Sequence, residues 1–281
     1  MFKSILVPID GSEPSFAALR NAVELARMAK AEVRGLFVED EAIFTPPVWA
    51  APSPDGLPDL TPSVLIFSQD VVKEWERTEK QIQEVFAEQC RAQDVKGALS
   101  ILRGMATDVM VEQAKRCGLV VMGRRGTLGA GQGKVPGSHT EALLLKTTRP
   151  VMAVPRGGNR TSRILIAYDG SPAAQRALEY GALFTMLQPS RVDVLTVGQP
   201  SEEAQTVQEE ARQFLGPYEL DASFVVKPGE PAGTIAGHAE EISAGLIVMG
   251  AYGHSRLREL LFGSTTRDVL GMAKCPVLLA A

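Results

Sequence analysis

The segment of this chain best suited to chemistry is Gly250-Ala251-Tyr252-Gly253, followed after nine residues by Gly263-Ser264. Glycine lets a backbone amide approach a bulky anion with no Cβ in the way, and successive amides form an anion-binding concavity. The Ser264 hydroxyl adds a donor, and a helix starting there adds unpaired N–H groups at the positive end of its dipole. The chemistry these groups suit is the holding of phosphate. The segment begins where the apolar run 246–249 ends, and open parallel sheets take ligands beyond the carboxyl ends of their strands. A plainer reading stands beside this one, in which each glycine makes a tight turn and touches no ligand.

A second, less regular version lies upstream in Gly123, Gly126, Gly137 and Ser138, with ten residues between Gly126 and Gly137 instead of nine. The expansion shifts donors relative to a phosphate, and Lys134 within it offers a compensating charge. This is not a Walker A loop, because Leu128 stands where its first glycine belongs and Val135 where Ser or Thr belongs. Asp10 and Asp169 each follow an apolar run; they either form the turn ahead of a helix cap or face a ligand. His238 and His254 have no acidic or nucleophilic partner at a recognisable spacing. His254 follows Gly253 and either contacts phosphate or is a solvated loop histidine, and the Arg124-Arg125 pair beside Gly123 can approach phosphate, although solvated surface arginines are commoner. Arg256 and Arg258 have Glu259 for ordinary surface pairing.

These residues are positioned by a unit that occurs twice. Ile5-Leu6-Val7-Pro8-Ile9-Asp10-Gly11-Ser12 recurs as Ile164-Leu165-Ile166-Ala167-Tyr168-Asp169-Gly170-Ser171, an offset of 159 that also relates 33–38 to 192–197. Val120-Val121-Met122-Gly123 recurs as Ile247-Val248-Met249-Gly250 at an offset of 127, so copy one carries 32 additional residues. Pro150-Val151 recurs as Pro276-Val277 at 126. Short apolar runs alternate with amphipathic segments, the pattern of parallel strands covered by helices on both faces. Strands are expected at 33–38, about 98–102, 118–122 and 151–154, and at 192–197, about 222–226, 245–249 and 277–280, besides the two opening runs. Ser12 and Ser171 are suited to cap helices, with Pro172 at a first helical position. The expected division is a domain over 1–156 with an insertion at about 41–95, a linker at 157–162 and a domain over 163–281. Within the insertion, 45–62 is proline-rich and irregular, and a polar helix is expected over about 64–93.

With 281 residues, a net charge of −4 and 22% charged side chains, the chain has room for two cores and no basic footprint for nucleic acid or an anionic membrane. No apolar stretch approaches the roughly 20 residues of a membrane span, and the opening residues lack a signal-peptide pattern. Cys90, Cys117 and Cys275 are odd in number and lack a C-x-x-C pair, so they are expected as buried, reduced thiols. The expectation is a cytoplasmic protein with neither nucleic acid nor membrane as partner.

The G-x2-G-x9-G-S arrangement closely resembles the nucleotide motif of the universal stress protein family. The Val7-Pro8-Ile9-Asp10-Gly11-Ser12 opening, the second strand and the closing Pro-Val strand fit as well, so the resemblance covers almost the whole chain, twice. It implies an α/β fold of the adenine nucleotide alpha-hydrolase-like type, with two tandem open parallel five-stranded sheets and flanking helices. Many members, though not all, bind ATP. By this resemblance Asp169 and Val197 face the adenine and ribose, and Gly250, Gly253, Gly263 and Ser264 hold the phosphates. The copy-one equivalents are Asp10, Val38, Gly123, Gly126, Gly137 and Ser138; no catalytic residue is assigned. The implied ligand is ATP or a related adenine nucleotide, with Mg2+ or Mn2+ held through its phosphates. The implied role is stress-related regulation through occupancy, with a slow ATP hydrolase or phosphoryl-transfer enzyme and a ligand-free interaction module as alternatives. The terminal strands, 151–154 and 277–280, are expected to join the copies as an internal pseudo-dimer, which covers two exposed sheet edges. A homodimer is a further expectation.

Overall fold

The computed structural model describes residues 2–40, 69–124, 138–157, 162–251 and 263–280. The proline-rich segment 45–62 and the whole of both glycine spacers lie outside these residues. Each apolar run forms a strand. Copy one supplies β1 (Ser4–Pro8), β2 (Glu32–Asp40), β3 (Gly97–Gly104), β4 (Leu119–Gly123) and β5 (Val151–Val154). Copy two supplies β6 (Arg163–Ala167), β7 (Arg191–Val197), β8 (Ala222–Lys227), β9 (Leu246–Gly250) and β10 (Val277–Ala280). Strand order is β3-β2-β1-β4-β5-β10-β9-β6-β7-β8. All neighbours within a copy are parallel. Between copies, β5 and β10 run antiparallel, with Val277 opposite Ala153 and Leu279 opposite Val151. The two five-stranded halves are therefore continuous, and neither β5 nor β10 is left as an open edge.

Side chains alternate across the pleat, so Ile5 and Val7 enter one core and Leu6 the other. The first core lies under α1 (Glu13–Ala29), α2 (Gln69–Ala92), α5 (Pro172–Leu187) and α6 (Glu202–Leu215), through Leu19, Ile82, Leu178 and Ala211. The second lies under α3 (Ala106–Ala114), α4 (Ser138–Lys146), α7 (Pro231–Glu241) and α8 (Ser264–Met272), through Met110, Leu143, Ile235 and Val269. Both cores run through both copies. The polar helix expected over 64–93 is described as α2, whose apolar stripe of Ile82, Phe86 and Cys90 faces the sheet.

Helix starts follow their capping residues. Ser12 accepts from the Ser15 amide at 3.3 Å and Ser171 from the Ala174 amide at 3.2 Å, with Pro172 opening α5. Cys90, Cys117 and Cys275 are free and buried, and burial pushes all three thiols up, Cys275 to about 11. Among the described residues no helix is long and apolar enough to cross a membrane.

Candidate functional site

In each copy the chain leaves the first strand towards one side and returns with the fourth strand on the other, which makes a switch point at β1/β4 and at β6/β9. Ligand crevices form at the carboxyl ends of strands at such points. Val38, Asp10 and Gly123 stand at or near the carboxyl ends of the adjacent strands β2, β1 and β4. Val197, Asp169 and Gly250 stand at the ends of β7, β6 and β9. Gly126, Gly137 and Gly253 lie outside the described residues, as do Arg125, Lys134, His254, Arg256 and Arg258.

The two aspartates share a turn geometry. Asp10 Oδ1 accepts from the Ser12 amide at 3.0 Å and from its hydroxyl at 2.5 Å; Asp169 Oδ1 accepts from the Ser171 amide at 3.0 Å. Gly11 and Gly170 between them take φ of +81° and +77°, which only glycine adopts without strain. The turn-forming reading of both aspartates is thus part of the fold, and it holds their carboxylates just beyond the carboxyl ends of β1 and β6.

The glycines of the motif divide by their surroundings. A Cβ on Gly250 would stand 2.7 Å from Ala173 Cβ and 2.8 Å from Ala173 C. On Gly123 it would stand 2.8 Å from Pro14 C. Both positions bring a strand end against the first turn of a helix, so packing alone requires glycine there. Gly263 differs. It caps α8 with φ −56° and ψ 136°, a conformation open to most residues, and among the described residues a Cβ would meet only Thr266 Oγ1 at 3.7 Å. Among the described residues no side chain caps α8, and Ser264 is exposed at its first position. The amides of that first turn have no intrahelical partner. Ser138 opens α4 at the equivalent place in copy one.

Sequence reasoning missed the groups that hold these helices in place. Thr266 is buried and donates to the Ala251 carbonyl at 3.2 Å; Thr140 donates to Gly123 O at 3.4 Å. Each hydroxyl latches the start of a motif helix onto the end of a motif strand. Their recurrence at an offset of 126 is a signal that was present in the sequence. In copy one His139 also lies between Thr107 Oγ1, 3.2 Å from Nδ1, and Asp40 Oδ2, 3.6 Å from Nε2. Asp40 in turn accepts from the Ala106 amide at the start of α3. Copy two has Thr265 in place of that histidine.

The motif helices also meet across the copies. Arg267 of α8 donates to Glu141 of α4 at 3.1 Å, and Arg124 Nη1 donates to the Ala273 carbonyl at 2.6 Å. Arg124, a candidate for phosphate, thus bridges the two copies. His238 is buried on α7 beside Glu241 at 3.4 Å. Among the described residues no group of three or more His, Cys, Asp or Glu is placed to hold a metal ion.

Comparison with known proteins follows the same duplication. A family model described as the universal stress protein family matches residues 1–155 and again 161–281. Universal stress protein Slr1230 of Synechocystis is 31% identical over 166 residues, which span 57% of this chain and 56% of that protein. Universal stress protein Mb2019 of Mycobacterium bovis is 24% identical over 98% of this chain and 94% of its own length. Among solved structures, a universal stress protein from Archaeoglobus fulgidus superimposes with a TM-score of 0.74 over 98% of this chain and 95% of that one, at 21% identity.

Proposed function

Because the chain belongs to the universal stress protein family, matched twice along its length, we propose that it binds ATP or a related adenine nucleotide and that occupancy modulates its conformation or its partners. In this reading Asp169 and Val197 face the nucleoside, and Gly250, Gly253, Gly263 and Ser264 surround the phosphates. Asp10, Val38, Gly123, Gly126, Gly137 and Ser138 form the less regular counterpart. A divalent cation, Mg2+ or Mn2+, would be held by the phosphates. The units 1–156 and 163–281, joined by the linker 157–162, act as an internal pseudo-dimer in the cytoplasm.

The observation that carries this reading is Gly263. Its backbone conformation does not call for glycine and its described neighbours leave room for a side chain. A phosphate lying against the start of α8 supplies the reason the protein does not, since a Cβ there would hold the anion away from the amides. The residue is therefore read as ligand-facing, whereas Gly250 serves packing first.

The test is to denature freshly purified protein and identify released small molecules by chromatography and mass spectrometry, alongside calorimetric titration with ATP and magnesium. Gly263→Val is expected to weaken binding about tenfold or more, near 1.4 kcal/mol, without loss of the fold. No retained nucleotide and no heat of binding would sink the proposal in favour of a ligand-free module. A turnover assay on the same samples separates a switch from an enzyme, because phosphoryl transfer needs an aligned acceptor as well as bound phosphate. Rapid multiple turnover that disappears in a folded Gly263→Val variant would make the protein an ATP hydrolase.

A further inference from the structure

At the end of copy one opposite its glycine motif, the amino ends of β1 and β4 border a cleft of about 470 Å³. Its lining includes Lys3, Lys115, Arg116 and Arg149. Lys3 precedes β1, Lys115 and Arg116 follow α3, and Arg149 precedes β5. Basic residues at a helix end complement its dipole, which accounts for Lys115 and Arg116 but not for Lys3 or Arg149. Glu112 pairs with Lys115 at 2.6 Å and is drawn more weakly by Arg116. Among the described residues no carboxylate forms an ion pair with Lys3, Arg116 or Arg149. Glu32 of β2 is taken by Arg34. Burial and the Glu179 carboxylate push the Tyr180 phenol up, and Arg176 and Arg149 oppose them. The cleft therefore gathers more positive charge than its acids offset. In copy two the offsets of 159, 127 and 126 put Ser162, Ser243 and Cys275 in the places of Lys3, Arg116 and Arg149. The fold thus does not need cations there.

We infer that this cleft binds a small organic phosphate monoester, its dianion held by Lys3, Arg116 and Arg149 and its apolar part against Tyr180 and Leu183. Like charges brought together repel, and an anion between them turns that repulsion into attraction. A guanidinium fork matches phosphate oxygens in pairs. One fork is already set in place, since Arg149 Nη2 donates to the Lys115 carbonyl at 2.7 Å. Ser4 Oγ donates to the Arg116 carbonyl at 3.3 Å, which ties the turn after α3 to β1. The apolar side is equally fixed. The Phe2 ring is buried and stacks on Tyr180 of α5 with centroids 6.0 Å apart, and Leu183 lies one turn further along the same helix. Small-molecule sites run to about 300–1,000 Å³, so the volume suits a phosphate with an organic group rather than the bare ion. The cleft shares no residue with the glycine motif of either copy, and the inference owes nothing to nucleotide binding.

The experiment titrates the full chain with phenyl phosphate and with inorganic phosphate, by calorimetry and saturation-transfer NMR. Saturable binding of phenyl phosphate is expected, with inorganic phosphate at least tenfold weaker. The double variant Arg116→Ser/Arg149→Ser, and separately Lys3→Ser, should each weaken phenyl phosphate tenfold or more, whereas Gly263→Val should bind it as the wild type does. Melting curves identify a variant that fails to fold; Lys3→Ser, on an exposed side chain, then decides. Vesicles of phosphatidylserine separate a lipid headgroup from a soluble ester, and the protein is expected to stay in the supernatant when they are sedimented. Absence of phenyl phosphate binding overturns the inference, as does wild-type affinity in the folded cation variants or a loss confined to Gly263→Val. Sedimentation with the vesicles that disappears in the cation variants would make the cleft a membrane contact instead.

Discussion

Replacing Gly250 with alanine tests whether the first glycine of the motif belongs to the fold or to a ligand. The added methyl would stand 2.7 Å from Ala173 Cβ, 2.8 Å from Ala173 C and 2.9 Å from Ala174 N. Carbon atoms rest at about 3.5–4.0 Å, so the strand and helix must separate by about 1 Å. Backbone atoms cannot rotate away. They are fixed by the Ser171 cap and by the Gln175 amide bonding Ser171 O at 2.8 Å. Overpacking of this kind costs about 1–3 kcal/mol, and the upper end applies because the obstruction is main chain. At about 2–4 °C per kcal/mol for units above 150 residues, the melting temperature should fall by roughly 5–10 °C. Gly123→Ala should behave alike, with its methyl 2.8 Å from Pro14 C. Gly263→Ala is the control, expected to cost no more than about 1 kcal/mol as a change of N-cap. Calorimetric melting of the three variants reads the difference. A Gly250→Ala variant that melts with the wild type would refute the packing argument and return that glycine to the ligand.

Two further outcomes follow from charged groups away from the motif. Asp193 is buried and receives two bonds from Arg163, at 2.7 and 3.0 Å, so Arg163→Met should cost about 2–3 kcal/mol, the orphaned-charge penalty reduced because Arg163 is 30% exposed. Adding Asp193→Leu should recover much of that loss in urea melts, and a double variant as unstable as the single one would show that the cost is not the stranded carboxylate. Glu230 accepts the Gly233 and Ala232 amides at the start of α7, which holds its carboxyl below the ordinary value of 4.5. A lowered carboxylate stabilises the fold above its unfolded value, and the gain is lost as pH falls through the folded one. Melting curves of Glu230→Gln between neutral pH and about pH 3 should thus show a shallower acid decline than wild type, and parallel declines would remove Glu230 from the pH response.

Much of the architecture was legible because it is local and said twice. The offset of 159 marks β1 and β6, and the serine caps and Pro172 mark where α1 and α5 begin. Pairing of β5 with β10 could be argued from edge strands alone. What remained hidden depends on partners distant in the chain. Arg124 finds the carbonyl of Ala273, 149 residues away, and His139 finds Thr107 and Asp40 only after three elements converge. Gly250 and Gly123 were legible as special, but not the reason: a glycine needed by an approaching helix has the same letter as one needed by an approaching phosphate.

The contact between Glu141 and Arg267 has a consequence for how such a chain came to hold together. The two residues occupy equivalent positions, 126 apart, in the first turns of α4 and α8. In a symmetric dimer of a single copy, a residue next to the twofold axis meets itself, so a glutamate there faces a glutamate. Joining two copies in one chain lifts that restriction and lets the axis carry opposite charges. The pair is partly exposed, with side chains 43% and 25% accessible, and is worth at most about 1 kcal/mol; its weight lies in selectivity. Unlike charges stand at equivalent positions of the two motif helices, so the two copies are not interchangeable at this contact.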